Sequence, residues 1–138
     1  MKKILIMGLP GAGKTTLAQE LVNLLCRASY SVHWLNADHI RTLYYDWDFS
    51  EEGRIRQSER MRKLADELTN DYVICDFVAP LPIMRENFNA DFTIWVDTIE
   101  KGRFEDTNKI FIQPEHVDFH VTEKNAKQLA LKIFDKIV

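Results

Sequence analysis

Cysteine is scarce in this chain: Cys26 and Cys75 are the only two among 138 residues. They fall in a predicted helix and a predicted strand and read as buried, unpaired thiols, as expected of a cytoplasmic protein in a reducing compartment. Long apolar runs are missing too, and nothing approaches the length of a membrane span. The start, Met1-Lys2-Lys3 followed by a short apolar run, has the charge of a secretory leader, but the run is too short and breaks at Gly8. Charge of one sign is also absent. A net charge of −3 gives no global field that would recruit nucleic acid or an anionic membrane, leaving only local basic patches. Repeats, low-complexity tracts and linkers do not occur. What remains is ordinary for a globular protein, 46% hydrophobic and 28% charged residues, in a length that suits one domain, 1–138, with a sizeable core.

Apolar runs alternate with helical patterns, which predicts an α/β fold on a mainly parallel sheet of five strands flanked by helices. Strands are expected at Lys3–Met7, Ser31–Leu35, Tyr72–Phe77, Phe92–Val96 and Phe119–Val121. The run Tyr72-Val73-Ile74-Cys75 lacks polar alternation, as a central strand covered on both faces should. Helices are expected at Lys14–Ala28, Asp38–Tyr44, Glu51–Thr69 and Glu123–Ile137, with Asp38, Ser50 and Thr122 as N-caps. In the last helix Ala126, Leu129, Ala130, Ile133, Phe134 and Ile137 form one apolar stripe for the core. Ligands of such sheets gather at the carboxyl ends of the strands, here after Met7, Leu35, Phe77 and Val96.

The segment Gly8-Leu9-Pro10-Gly11-Ala12-Gly13-Lys14-Thr15 fits the phosphate-loop pattern G-x-x-x-x-G-K-[ST]. It follows a strand and, from Thr16 on, opens a helix, which is the context the motif requires. Glycines let the backbone curl its N–H groups toward phosphate oxygens, and the helix N-terminus adds partial positive charge. Lys14 would reach the β- and γ-phosphates and the Thr15 hydroxyl would ligate Mg²⁺. The loop therefore predicts a nucleoside triphosphate, with ATP and Mg²⁺ as the working pair, in a single-domain P-loop NTPase fold.

A second group follows the second strand, in Asn36-Ala37-Asp38-His39-Ile40-Arg41. Asp38 either accepts a proton from a substrate hydroxyl or caps a helix. Arg41, one helical turn on, either grips an anion or is a surface arginine. Further along, Arg54 and Gln57 share a helical face that could equally be a solvated flank, and Phe49 is either core or a stacking platform. Asp76, closing the third strand, is either a Walker B carboxylate that orders Mg²⁺ or a turn starter.

Taken together, these stretches resemble the adenylylsulfate (APS) kinase family, whose members phosphorylate the 3′-hydroxyl of adenosine 5′-phosphosulfate. The resemblance is carried by residues 8–18, by Asn36–Arg41, by Phe49-Ser50 with Arg54, and by Phe77-Val78-Ala79-Pro80. It implies that Asp38 is the catalytic carboxylate and that Arg41 and Arg54 hold the substrate anion. It also implies that Phe49 stacks on the substrate adenine, with Phe77 near it, and that Gln57 replaces a substrate-holding asparagine. The chain departs from the family pattern D-G-D-N-x-R at Asn36, Ala37 and His39, carries Ala79 in place of a serine, and has Asp76 where the family has a small or hydroxylic residue. The family's long lid is cut to the stretch 97–109, leaving Arg103 and Lys109 as cations, Arg103 to close over the transferring phosphate, and Phe111 as a second stacking aromatic.

Three functions follow from this reading: phosphoryl transfer to adenosine 5′-phosphosulfate, phosphoryl transfer to another hydroxyl such as a nucleoside, nucleotide or modified base, and a slow nucleotide switch. The last would use Trp34, Tyr44, Tyr45 and Trp47 as a docking patch, although these aromatics read first as core. A homodimer stays open.

Overall fold

The computed structural model describes all 138 residues, Met1–Val138. Five strands, β1 (Lys2–Met7), β2 (Val32–Asn36), β3 (Tyr72–Asp76), β4 (Phe92–Val96) and β5 (Phe119–Val121), form one sheet in the order β2-β3-β1-β4-β5. Every pairing is parallel. Six helices accompany them: α1 (Lys14–Arg27), α2 (Ala37–Tyr44), α3 (Glu51–Asp66), α4 (Pro82–Phe88), α5 (Glu105–Ile110) and α6 (Ala126–Ile137).

Both faces of the sheet are covered, so β1 and β3 read as continuous apolar runs and their side chains divide by parity. Ile4, Ile6, Ile74, Ile94, Val96 and Val121 pack with Leu17, Leu21 and Leu25 of α1 and Ala130, Ile133 and Ile137 of α6. Leu5, Met7, Val73, Cys75 and Trp95 face the other way, onto Ile40, Met61, Ala65 and Phe88. From β1 the chain runs out to β2 and back through β3, then passes β1 to β4 and β5 on its other side, and ligand crevices form beside a strand where the winding switches sides in this way. The phosphate loop lies at that point. No helix is long and apolar enough to cross a membrane.

Several boundaries differ from the sequence reading. Asn36, not Asp38, caps α2, accepting the His39 N–H at 3.0 Å. Ser50 caps α3 as expected, through the Gly53 N–H at 3.2 Å. That helix stops at Asp66 rather than Thr69, because Asn70 and Asp71 are drawn away to bond Ser31 at the start of β2. Thr122 caps nothing; α6 begins only at Ala126, and residues 123–125 instead line a small cavity. The short helices α4 and α5 were not foreseen, although Pro82 opens one and Glu105-Asp106 the other, both ordinary start signals. Cys75 is buried as expected, but Cys26 is exposed, on the outer side of α1. Tyr44, Tyr45 and Trp47 are exposed rather than core, Tyr45 being 93% accessible.

Leu21 is fully buried where α1 meets the sheet and α6. Leu21→Ala should therefore cost about 2–5 kcal/mol of stability, read by urea denaturation at unchanged m-value. A cost below about 1 kcal/mol would contradict this packing.

Candidate active site at the phosphate loop

The loop 8–13 turns where side chains are hardest to place. Gly8 approaches β4 so closely that a Cβ would collide with the Val96 carbonyl oxygen, and Gly13 holds φ +106° as α1 begins. Lys14 leans back over the loop, its Nζ donating to the Leu9 carbonyl at 3.0 Å. On one side of the loop opens a cavity of about 660 Å³, lined in part by Pro10, Gly11, Gly13, Lys14, Thr15 and Thr16. On the other side lies a smaller one of about 280 Å³, between Gly11-Ala12-Gly13 and residues 123–126.

Strand register builds the floor of the larger cavity. Asn36 at the end of β2 pairs with Asp76 at the end of β3. Asp76 is 2% exposed, and four hydrogen bonds hold its carboxylate. Thr15 Oγ1 donates at 3.2 Å and Trp34 Nε1 at 3.3 Å, while Asn36 Nδ2 reaches both oxygens at 3.0 and 3.1 Å. Burial pushes its pKa up to about 6 against the opposing pull of these donors and of Lys14. Lys14 is shifted the other way: burial lowers it to about 8 despite attraction from Asp76 and Asp38.

Around the rim the sequence-predicted residues divide. Asp38 is exposed and lines the cavity, and since Asn36 does the capping, the helix-cap explanation for Asp38 falls away. Phe49 stands half-exposed on the cavity wall. Arg54 is buried behind it, donating to the Phe49 carbonyl at 2.8 Å and to Thr107 Oγ1 at 3.1 Å. Phe77 lines the wall next to Asp76, and Arg103 lies across Gly11.

Arg41, Gln57 and Phe111 are placed elsewhere. Arg41 is 5% exposed and donates to the carbonyls of Asp46 and Asp48 at 2.8 and 3.2 Å, with its guanidinium 4.3 Å from the Phe49 ring centre. It thus sits beneath Phe49 and outside the lining. Gln57 is buried and spends its amide on the Ala37 carbonyl and Arg60. Phe111 packs by Arg85, away from the cavity.

The sequence reading missed Trp47, Phe104, Asp106 and Thr107, all of which line the cavity. Only Trp47 carried a signal, lying two residues from Phe49. The other three arrive with α5, whose Asn108 bonds Gly102 in both directions and whose Thr107 is held by Arg54 of α3; earlier in the same segment, Thr98 Oγ1 donates to the Ala12 carbonyl of the loop at 2.6 Å.

A glycine loop that hands a lysine and a threonine to the start of a helix, on a parallel sheet in this strand order, defines a P-loop NTPase of the kinase type. Comparison with known proteins narrows the class. The sequence profile of the family described as adenylylsulphate kinase matches residues 2–122, and the chain belongs to that family. It is 40% identical over 78 residues to the probable adenylyl-sulfate kinase of Aeropyrum pernix, covering 54% of this chain and 43% of that protein. To the probable adenylyl-sulfate kinase of Archaeoglobus fulgidus it is 37% identical over 97 residues, 68% of this chain and 63% of the relative. The matched region thus spans about half the length of these curated relatives. In fold it is similar to the Mycobacterium tuberculosis APS kinase CysC, solved in complex with AMPPNP and APS. The TM-score is 0.82 over 97% of this chain and 95% of that one, at 20% identity.

The two shifted groups set a pH window for nucleotide binding. Phosphate favours charged Lys14, so an ATP analogue should draw in protons near pH 8 and bind more weakly as pH rises past it. Were Asp76 to face Mg²⁺ it would have to be ionised, and the contribution of Mg²⁺ should fade as pH drops through about 6. Calorimetry at pH 8 in buffers of different ionisation enthalpy reads the proton uptake, which should vanish in Lys14→Met. Buffer-independent heats in the parent protein would contradict it.

Proposed function

We propose that this chain is a cytoplasmic kinase that transfers the γ-phosphate of ATP to the 3′-hydroxyl of adenosine 5′-phosphosulfate. The observation that carries the reading is one cavity in which Lys14, Thr15 and Asp76 adjoin Asp38, Arg54 and Phe49. The first three suit a metal-bound polyphosphate and the second three an aromatic, anionic alcohol. Names of the relatives, adenylyl-sulfate kinases from several organisms, support the same acceptor.

Metal fit follows from the donor set. The Thr15 hydroxyl and the Asp76 carboxylate are hard oxygen donors 3.2 Å apart, and no group of three or more His, Cys, Asp or Glu side chains forms a cage. This is the arrangement for Mg²⁺, which is held by one or two protein oxygens and shared with substrate phosphates. When bound, Mg²⁺ neutralises charge on the phosphate oxygens.

The protein's own groups do the rest. The loop and Lys14 orient the polyphosphate, and the nucleoside of ATP extends into the smaller cavity on the far side of the loop. Asp38, free of any capping duty, orients the acceptor hydroxyl and takes its proton. Phe49 stacks on the acceptor's base, its face stiffened from behind by Arg41 and Arg54 at 4.3 and 5.4 Å. Gln57, bonded to the Ala37 carbonyl, steadies the segment that carries Asp38. Arg103, over the loop, meets charge on the phosphoryl group in flight, and α5 keeps water out.

One feature of the lining favours a second acceptor class. Three basic side chains (Lys14, Arg54, Arg103) are matched there by three carboxylates (Asp38, Asp76, Asp106), and the charge of Asp106 is felt through space by Arg54. A balanced lining suits an uncharged hydroxyl, such as a nucleoside, better than a doubly anionic one.

Titrating adenosine 5′-phosphosulfate into protein loaded with a non-hydrolysable ATP analogue and Mg²⁺ separates the two. The first reading expects binding that weakens at least about tenfold in Arg54→Ala, the loss of a charge-assisted contact; the second expects none. In turnover, Asp38→Asn should lower kcat by about 10²–10⁴-fold with the fold intact by circular dichroism. A near-parent rate would remove Asp38 from the mechanism.

A further inference from the structure

Asn36 carries two tasks with one planar amide. Its Oδ1 accepts the His39 N–H at 3.0 Å, as the N-cap of α2. Because the oxygen is committed there, the NH₂ end must face β3, where it reaches both oxygens of Asp76 at 3.0 and 3.1 Å and lies 3.5 Å from Thr15 Oγ1. The helix cap therefore sets the orientation of the amide (which nitrogen and oxygen alone would leave ambiguous). Trp34, two residues earlier on the same strand face, adds its indole N–H at 3.3 Å.

A carboxylate at position 36 would cap α2 equally well. It would also confront Asp76 across the strand register with a second negative charge in a buried place. An amide keeps the cap and replaces that repulsion with two donated hydrogen bonds. The amide on β2 and the acid on β3 are thus a matched pair across one rung of the sheet, both beside Thr15.

We propose that Asn36, aided by Trp34, is a positioning residue that holds the Asp76 carboxylate toward the Mg²⁺ side of the phosphate loop, and that acid and amide can be exchanged between the two strands. This rests on the reading of Thr15 and Asp76 as the metal side of the site. Neither Asn36 nor Trp34 touches the transferred phosphate in this account; both act through Asp76. Partners that orient a metal-facing carboxylate typically set metal affinity by 10–100-fold.

The test measures how binding of a non-hydrolysable ATP analogue depends on Mg²⁺ concentration, by calorimetry on the full chain. Asn36→Ser keeps a good helix cap and is too short to reach Asp76, and Trp34→Phe keeps the ring and removes the N–H. The Mg²⁺ concentration for half-maximal tightening should rise about tenfold or more in Asn36→Ser, in the same direction in Trp34→Phe, and as far in Asp76→Asn. Binding in EDTA should change far less. The exchange Asn36→Asp with Asp76→Asn should bring the Mg²⁺ dependence back toward the parent. Unchanged Mg²⁺ dependence in Asn36→Ser, alongside a shift in Asp76→Asn, would overturn the positioning role and leave Asp76 as the metal carboxylate. No shift in Asp76→Asn either would overturn both the role and the reading beneath it.

Discussion

The buried carboxylate of Asp76 has to be compensated where it stands, and much of the site follows from that requirement. A carboxylate 2% exposed at the end of a central strand has almost no water to lean on. Its compensation comes from two separate stretches of chain: the phosphate loop and start of α1 through Thr15 and Lys14, and β2 through Trp34 and Asn36. Those donors meet only because β2, β3 and β1 pair in parallel with their carboxyl ends level. The sheet register, the start of α1 and the cap of α2 are thereby tied to one group. No buried side-chain nitrogen or oxygen in the protein is left without a hydrogen-bond partner, so the arrangement closes on itself without ligand.

The Phe49 side of the cavity is organised differently. There the cations are placed by the backbone: Arg41 is spent on the carbonyls of Asp46 and Asp48, and Arg54 on the carbonyl of Phe49. Both guanidiniums stay behind the Phe49 ring, at 4.3 and 5.4 Å from its centre. Arg54 also reaches α5 through Thr107, so the Phe49 wall of the cavity and α5 share one side chain.

Much of this was legible in the sequence because local chemistry and global placement agree. The phosphate loop sits between an apolar strand and an amphipathic helix, and β3 lacks polar alternation because both its faces are covered. The order of elements follows from those patterns. Residues whose role depends on contacts far along the chain were not legible. Asp38 is the expected N-cap by residue type, yet Asn36 takes the cap and with the same amide serves Asp76, forty residues away. Arg41 and Gln57 sit at helical spacing from residues of the cavity, but the loop carbonyls and Arg60 claim them first. Phe111 was the aromatic expected in the shortened lid, whereas α5 begins at Glu105 and leaves Phe104 at the cavity instead. The helix within the lid, six residues long, carried too little periodicity to be read as one.

The central claim is acceptor-dependent phosphoryl transfer from this cavity. Its most direct test is ADP formation from Mg²⁺·ATP with and without adenosine 5′-phosphosulfate, with the nucleotide product identified by mass spectrometry. The account predicts ADP formation that depends on the acceptor, in step with a product one phosphate heavier, esterified at the 3′-hydroxyl. ADP formation at the same rate with and without the acceptor, and no phosphorylated product, would contradict it.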